Sequence, residues 1–183
     1  MAVTGQQARA VMERADCLHT AADVDRAYDR LAEAINAKLE GSDPLVLCVM
    51  TGALIPAGQL LTRINFPLQI DYIHATRYRG DTRGGELDWK VAPTTPLEGR
   101  VVLVIDDILD EGITLAGILD YCRRQGAREV YCAVLVNKLH ERKALETVDF
   151  VGLTVEDRYV FGCGMDYKGY LRNIPGIYAV NEA

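Results

Sequence analysis

Residues 100–119, RVVLVIDDILDEGITLAGIL, restrict the folds that this chain can adopt. Residues 101–105 are an unbroken apolar run rich in β-branched side chains, which is typical of a strand buried on both faces of a parallel sheet. Asp106 and Asp107 follow at once, and we expect the strand to end there. Beyond them, apolar residues recur at the spacing of one helix face: Leu115, Ile118, Leu119 and Cys122. The stretch therefore predicts a buried strand, a polar turn and a helix.

The polar turn has the composition of an anion site. Asp110, Gly112 and Thr114 follow the Asp106-Asp107 pair, and ligands of open parallel sheets bind at such turns. Free backbone N–H groups and the helix dipole favour phosphate there, and a glycine lets the backbone approach it. Carboxylates beside phosphate indicate an intervening divalent cation, and oxygen ligands suit Mg²⁺. For an Asp-Asp pair alone, a solvated connection is an equally good interpretation.

Three further stretches predict strands, over residues 45–50 (LVLCVM), which is fully apolar, 69–78 (QIDYIHATRY) and 128–136 (REVYCAVLV). The last run ends in Asn137-Lys138, which places Lys138 at the same carboxyl edge as the aspartates. A lysine at a strand end is most often simply solvated.

Two helices are also predicted around the first of these runs. Thr20 and Asp23 have the spacing of a capping box for a helix that closes near Gly41. Its expected buried stripe is Val24, Tyr28, Leu31, Ile35 and Leu39. Pro56 fits the first turn of a second helix, which follows the small-residue turn at 51–53. The residues of that helix region expected to face the core are Leu54, Leu61 and Ile64.

Composition narrows the class of protein. With 183 residues, 49% of them hydrophobic, the chain suits one compact domain spanning residues 1–183. A net charge of -6 argues against nucleic-acid binding, and no apolar run approaches the roughly 20 residues that span a membrane. The five cysteines are scattered and odd in number, so we expect reduced core residues of a cytoplasmic protein.

The order of the central stretch, Asp106-Asp107, two apolar residues, then Asp110-x-Gly112-x-Thr114, resembles the phosphoribosyl-pyrophosphate (PRPP) signature of the type I phosphoribosyltransferase family. Over nearly its full length, the chain is similar to the hypoxanthine–guanine branch of that family. The resemblance implies an α/β fold with an open, mainly parallel twisted sheet flanked by helices. It also implies a small hood, formed by the N- and C-terminal segments, and a flexible lid at about residues 79–89, which are polar and glycine-rich.

The implied reaction transfers the 5-phosphoribosyl group from PRPP to N9 of a 6-oxopurine, with Mg²⁺ as cofactor. Asp110 would be the catalytic base that accepts or relays the N7 proton. The implied PRPP- and phosphate-binding residues are Asp106, Asp107, Asp110, Glu111, Gly112, Ile113 and Thr114. Those implied for pyrophosphate are Thr51, Gly52 and Arg172.

The resemblance also assigns the purine and metal sites. The implied purine-binding residues are Lys138, Tyr159, Val160 and Asp166, and Arg77 and Tyr78 lie at the base of the lid. Lys138 would contact the exocyclic oxygen at C6, which favours 6-oxopurines because an ammonium group only donates hydrogen bonds. The implied metal ligands are Asp106, Asp107 and Asp166.

Three positions depart from the family pattern. Thr51 and Ala53 flank Gly52 where many relatives have a Lys-Gly-Gly type sequence, which leaves a role for the backbone there. Arg77 precedes Tyr78 where relatives often have serine, so only the tyrosine is carried over. Glu111 replaces a threonine or serine, and we expect its carboxylate to face solvent or to pair with a basic side chain.

Several alternatives stay open. The chain could be a PRPP- or nucleotide-sensing regulator on the same fold, or a transferase that prefers xanthine, because C2 of the purine is read largely by backbone groups. A receiver-like α/β domain also places paired acids at a strand end, but it gives residues 166–175 no role. Implied partners are PRPP and a purine base, with neither nucleic acid nor membrane, and a homodimer or homotetramer.

Overall fold

The computed structural model of the protein describes residues 3–77 and 87–181. Four helices and nine strands occur in these two ranges, and a six-stranded sheet forms the centre of the molecule. In chain order they are α1 (Gly5–Arg14), β1 (Asp16–His19), α2 (Ala21–Leu39), β2 (Leu45–Val49), α3 (Leu54–Leu61), β3 (Gln69–Arg77), β4 (Leu87–Val91), β5 (Val101–Leu109), α4 (Ile113–Arg124), β6 (Glu129–Leu139), β7 (Phe150–Glu156), β8 (Val160–Phe161) and β9 (Ile177–Ala179).

The central sheet has the strand order β4-β3-β2-β5-β6-β7, and all its pairs are parallel except β3 with β4. Strand β5 lies inside the sheet, and residues 101–105 are fully buried. The predicted fold, a mainly parallel sheet flanked by helices, is confirmed. Because parallel strands have their carboxyl ends at one edge, the ends of β2, β5 and β6 lie together there.

The prediction that β5 ends before Asp106 is wrong. The ladder between β5 and β6 continues past both aspartates, pairing Asp106 with Val134 and Leu109 with Asn137. Strand β6 likewise runs on to Leu139, where it pairs with β7. The polar side chains interrupt the apolar run without interrupting the backbone hydrogen bonds.

The predicted lid, at about residues 79–89, falls mostly outside the described ranges and stays a prediction. Residues 87–89 belong to strand β4, antiparallel to β3, while residues 79–86 lie outside the described ranges. Strand β4 packs on α4: the Trp89 ring centroid lies 4.6 Å from that of Tyr121.

The helix predictions are largely confirmed. Thr20 and Asp23 form the capping box of α2, and its predicted stripe is buried. All four predicted apolar residues of α4 are buried as well. Leu54 contradicts its prediction: it is 55% exposed, because α3 presents Pro56, Ala57 and Leu60 to the core. In the two described ranges, no helix is long and apolar enough to cross a membrane.

A second, three-stranded sheet joins the two ends of the chain in the order β1-β9-β8, with antiparallel pairing. Arg158 links these ends further, because its Nη2 lies 2.5 Å from Asp16 Oδ2 and 3.1 Å from the Val180 carbonyl oxygen. All five cysteines are free; four are buried, and Cys17 is exposed, which contradicts its expected place in the core.

Candidate active site

Two adjacent cavities open at the carboxyl edge of the central sheet. The first, which we call the loop cavity, measures about 360 Å³ and surrounds the turn after β5. Its lining residues are Asp106, Ile108, Asp110, Glu111, Gly112, Ile113, Thr114 and Leu115. The second, the tyrosine cavity, measures about 270 Å³. Its lining residues are Asp107, Ile108, Asp110, Lys138, Tyr159, Val160, Met165 and Asp166. Ile108 and Asp110 line both cavities and therefore stand between them.

The turn in the loop cavity depends on a glycine. Gly112 has φ 76°, a left-handed conformation that side chains disfavour, and α4 starts directly after it. A Cβ on Gly112 would lie 2.8 Å from Leu145 Cβ and 2.9 Å from Leu109 Cδ1. The first N–H groups of a helix have no partner within the helix, so the start of α4 offers donors to the cavity. This arrangement suits an anion such as phosphate.

Asp110 is held by two donors from β6 and the residue after it. Lys138 Nζ lies 2.8 Å from Asp110 Oδ2, and His140 Nε2 lies 2.7 Å from Asp110 Oδ1. Burial by itself would raise the pKa of Asp110, but the hydrogen bonds from Lys138 and His140 outweigh it and hold this pKa below its ordinary value. Asp110 is therefore ionised at neutral pH, with 44% of its side chain still exposed.

His140 is a site residue that the sequence analysis missed. The available signal was its position two residues beyond Lys138, just past the same strand end, but the surrounding HERK sequence is typical of a solvated loop. Ile108 and Met165 were also missed, because apolar residues in and beside strands carry no chemical signal by themselves.

Asp106 and Asp107 are adjacent in β5, and Asp106 lines the loop cavity while Asp107 lines the tyrosine cavity. Burial raises the pKa of Asp106 well above its ordinary value, and the neighbouring Asp107 charge raises it further. Burial also raises the pKa of Asp107. A cation bound here would favour the charged form of both carboxylates, so the pair is a suitable place for one.

The donor set fits magnesium in part. Hard carboxylate oxygens are its preferred protein ligands, and Mg²⁺ usually keeps only one or two of them, together with substrate phosphates and water. Within residues 3–77 and 87–181, no group of three or more His, Cys, Asp or Glu side chains is arranged to hold a metal. Asp106 and Asp107 therefore fit a metal that is completed by a substrate.

Gly52, in the turn after β2, lies directly against Asp107. A Cβ on Gly52 would overlap the Asp107 carboxylate and lie 2.6 Å from its Cγ. The Gly52 carbonyl oxygen in turn packs against Gly164 so closely that a Cβ on Gly164 would overlap it. The turn at 51–53 is thus wedged between β5 and the C-terminal segment.

Arg172 and Asp166 connect that C-terminal segment to the site. Arg172 Nη1 donates to the Gly164 carbonyl oxygen at 2.6 Å, and Arg172 Nη2 lies 3.1 Å from Asp166 Oδ1. The other oxygen, Asp166 Oδ2, accepts the Gly169 N–H at 2.6 Å. Both Asp166 oxygens already have partners, so a metal would have to compete with them.

Tyr159 and Val160 line the tyrosine cavity together with Lys138. Tyr159 is 46% exposed, whereas Val160 and Lys138 are buried. The Tyr159 ring meets the Tyr167 ring edge-on, with centroids 5.5 Å apart. A half-exposed aromatic face beside a buried ammonium group suits a flat polar heterocycle.

The structure thus brings together most of the residues that the sequence analysis singled out. Those lining the two cavities are Asp106, Asp107, Asp110, Glu111, Gly112, Ile113, Thr114, Lys138, Tyr159, Val160 and Asp166. Gly52 reaches the site through Asp107, and Arg172 through Asp166, while Thr51 is exposed beside Gly52. Arg77 ends β3, and Tyr78 lies outside the described residues.

Comparison with known proteins agrees with this arrangement. Residues 15–168 match the model of the phosphoribosyl transferase domain. The chain is 32% identical to the hypoxanthine-guanine-xanthine phosphoribosyltransferase of Tritrichomonas foetus, covering 91% of each chain. It is 31% identical to the hypoxanthine-guanine phosphoribosyltransferase of Bacillus subtilis, covering 88% of this chain and 90% of the relative.

Solved structures give the same result. A crystal structure of a hypoxanthine phosphoribosyltransferase from Staphylococcus aureus superimposes with a TM-score of 0.85 at 27% identity, covering 91% of each chain. The chain therefore belongs to the phosphoribosyltransferase family and, within it, to the hypoxanthine-guanine phosphoribosyltransferases.

Proposed function

We propose that this protein is a purine salvage enzyme that transfers the 5-phosphoribosyl group of PRPP to N9 of a 6-oxopurine, hypoxanthine or guanine. The products are IMP or GMP and pyrophosphate. The observation that carries the proposal is the place of Asp110 between two cavities. One cavity has the backbone donors of a phosphate site, and the other is lined by both a buried lysine and a half-exposed tyrosine.

The loop cavity would bind the 5′-phosphate and the ribose of PRPP. Residues 110–114 would cradle the phosphate through the backbone N–H groups at the start of α4. Asp106 and Asp107 would contact the ribose hydroxyls and hold Mg²⁺, directly or through water. When bound, Mg²⁺ would neutralise charge on the pyrophosphate as the bond to ribose breaks.

The leaving pyrophosphate would lie near the turn at Thr51 and Gly52. Backbone N–H groups of this turn are the donors that we assign to it, since Thr51 replaces the more common basic residue. Arg172, which already contacts Gly164 and Asp166, would add a positive charge on the same side. Asp166 is the third proposed metal ligand, and its present partners would have to be displaced.

The tyrosine cavity would bind the purine. Tyr159 would stack on the ring, the Val160 backbone would read its edge, and Lys138 Nζ would donate to the oxygen at C6. An amino group at this position offers the ammonium no acceptor in the plane of the ring, so adenine should be disfavoured.

The reaction requires one proton to leave the purine. N9 attacks C1 of the ribose, the C1–O bond breaks, and pyrophosphate departs with the bonding electrons. Asp110 would accept or relay the N7 proton as the general base, because it is ionised and borders the purine cavity. Arg77 and Tyr78 would belong to a lid that excludes water from the reacting ribose.

Nucleotide formation from PRPP and Mg²⁺ tests the proposal, with hypoxanthine, guanine, xanthine and adenine offered separately. We expect turnover of 6-oxopurines and little of adenine. The name of the Tritrichomonas foetus relative makes xanthine a further candidate substrate. The ratio of the rates with hypoxanthine, guanine and xanthine decides which base is preferred. PRPP binding without turnover of any base would contradict the enzyme assignment and favour a PRPP-sensing regulator.

We further propose that the protein works in the cytoplasm as a homodimer or homotetramer. Five free cysteines, four of them buried, support a reducing compartment. Sedimentation in solution tests the oligomeric state, and a monomer at micromolar concentration would contradict it.

A further inference from the structure

His140 has a buried side chain that contacts Asp110, which lines both cavities, and the reaction as proposed gives it no task. It follows the last residue of β6, and only 4% of its side chain is exposed. Its Nε2 lies 2.7 Å from Asp110 Oδ1, on the opposite carboxylate oxygen from Lys138. A histidine buried this deeply against an ionised carboxylate is held by specific contacts.

Those contacts define the tautomer. The Arg142 backbone N–H donates to His140 Nδ1 at 3.1 Å, so Nδ1 uses its lone pair and carries no hydrogen. The ionised Asp110 carboxylate can only accept, so His140 Nε2 must carry the hydrogen that it receives. The imidazole is therefore neutral in this arrangement, with Nε2–H directed at Asp110.

The segment that follows His140 is attached to the turn after β5, which carries Asp110. The Ala144 N–H donates to the Glu111 carbonyl oxygen at 2.8 Å, and Leu145 packs against Gly112. Arg142 Nη2 pairs with Asp157 Oδ2 at 2.9 Å, and Lys143 Nζ contacts Asn137 Oδ1. Lys143 also attracts Asp110 through its charge. The connection between β6 and β7 thus supports the turn after β5 from behind.

We propose that His140 is a positioning residue for Asp110: its neutral imidazole donates Nε2–H to Oδ1 and fixes the carboxylate at the junction of the two cavities. Asp110 keeps 44% of its side chain exposed, so this contact leaves the carboxylate open to a substrate proton. When the purine draws Lys138 toward itself, His140 remains as the donor that keeps Asp110 in place. The inference rests on the function proposed above, because it needs Asp110 to act on the purine.

The test compares two substitutions with a neighbouring control. His140→Leu removes the donor and fills the buried space, while His140→Gln keeps an N–H donor. We expect kcat to fall about tenfold in His140→Leu, a part of the roughly 10²- to 10⁴-fold that a general base contributes. KM for PRPP should stay within about twofold, because PRPP binds through other groups, and His140→Gln should recover much of the rate. Glu141→Gln, an exposed change next to it, should behave as wild type.

A double substitution separates positioning from simple structural damage. In an Asp110→Asn background, His140→Leu should cause no further loss of kcat, because its effect passes through the lost carboxylate. A full additional tenfold loss would overturn the proposal, as would wild-type kcat in the single His140→Leu variant.

A second measurement does not depend on activity. In ¹⁵N-histidine-labelled wild-type protein, the His140 signals, assigned by their absence in His140→Gln, should show the neutral Nε2–H tautomer. An Nδ1–H tautomer would overturn the proposal even if His140→Leu failed to fold. If the wild-type protein forms no nucleotide, the proposed function fails, and the tautomer still decides whether the contact exists.

Discussion

Lys138 Nζ lies 2.8 Å from Asp110 Oδ2, although the two residues are 28 positions apart in the chain. The proposed purine-binding group and the proposed general base are therefore each other's partners in this structure. A purine oxygen that attracts Lys138 would weaken this ion pair and leave Asp110 a stronger base. Substrate binding and base activation would then be linked through one lysine.

Replacing Asp110 with asparagine should abolish most of the activity. The amide has nearly the same shape and still accepts from Lys138, but it does not take up the purine proton. We expect kcat to fall by about 10²-fold or more, with little change in PRPP affinity. Steady-state rates and PRPP binding by calorimetry check this, and unchanged turnover would remove the role of Asp110 as base.

Replacing Lys138 with glutamine should alter the choice of base. Glutamine both donates and accepts, so it can pair with an amino group at C6 as well as with an oxygen. We expect KM for hypoxanthine to rise about tenfold, because a hydrogen bond from a charged group is lost. The preference for hypoxanthine over adenine should shrink. Lys38→Gln, an exposed change on α2, is the matched control. An unchanged ratio of hypoxanthine to adenine rates would show that Lys138 does not read C6.

The turn at Gly52 should not tolerate a side chain. Alanine there would overlap the Asp107 carboxylate, so we expect a loss of roughly 1–3 kcal/mol of stability and a lower kcat. Gly58→Ala is the control, because a Cβ at Gly58 meets no atom within 4 Å and lies inside α3. It should raise stability by about 0.5–1 kcal/mol through helix propensity. Equal urea midpoints for the two variants would contradict the close packing of Gly52 on Asp107.

Asp71 should stabilise the fold in a pH-dependent way. Its Oδ2 accepts the Thr94 and Thr95 N–H groups at 2.9 and 2.8 Å, and its Oδ1 accepts the Tyr72 N–H. Burial would raise the pKa of Asp71, but these hydrogen bonds outweigh it and lower the folded-state pKa. The contribution is therefore present above the unfolded-state pKa of about 3.9 and lost as the pH falls through the lower folded-state value.

Urea unfolding of Asp71→Asn between pH 7 and pH 3 checks this relation. We expect a loss of about 1–3 kcal/mol at pH 7 that shrinks toward pH 3, because the carboxyl group of the unfolded chain takes up a proton there before the folded one does. Asp120→Asn, whose Arg124 partner is exposed, should cost at most about 1 kcal/mol at pH 7. If the stability lost in Asp71→Asn did not vary with pH, the charge of the Asp71 carboxylate would play no part in stabilising the fold.

Local sequence patterns were sufficient to predict most of the helices and strands and many of the site residues. The apolar run before Asp106, the capping box of Thr20 and the stripe of α2 are periodic signals, so the strands and helices followed from them. Parallel strands share a carboxyl edge, which already placed Lys138 near the aspartates. Strand ends did not follow from these patterns, because β5 and β6 continue through polar side chains that line the cavities.

The sequence by itself determined that an acidic strand end, a glycine turn and a helix start would form one site, because residues close in the chain impose that geometry. Only the tertiary structure decided which groups hold Asp110. His140 meets Asp110 through the pairing of β5 with β6 and the packing of residues 144–145 on the turn, contacts between segments some 30 positions apart. Such contacts depend on how strands align in space, which no local pattern of residues specifies.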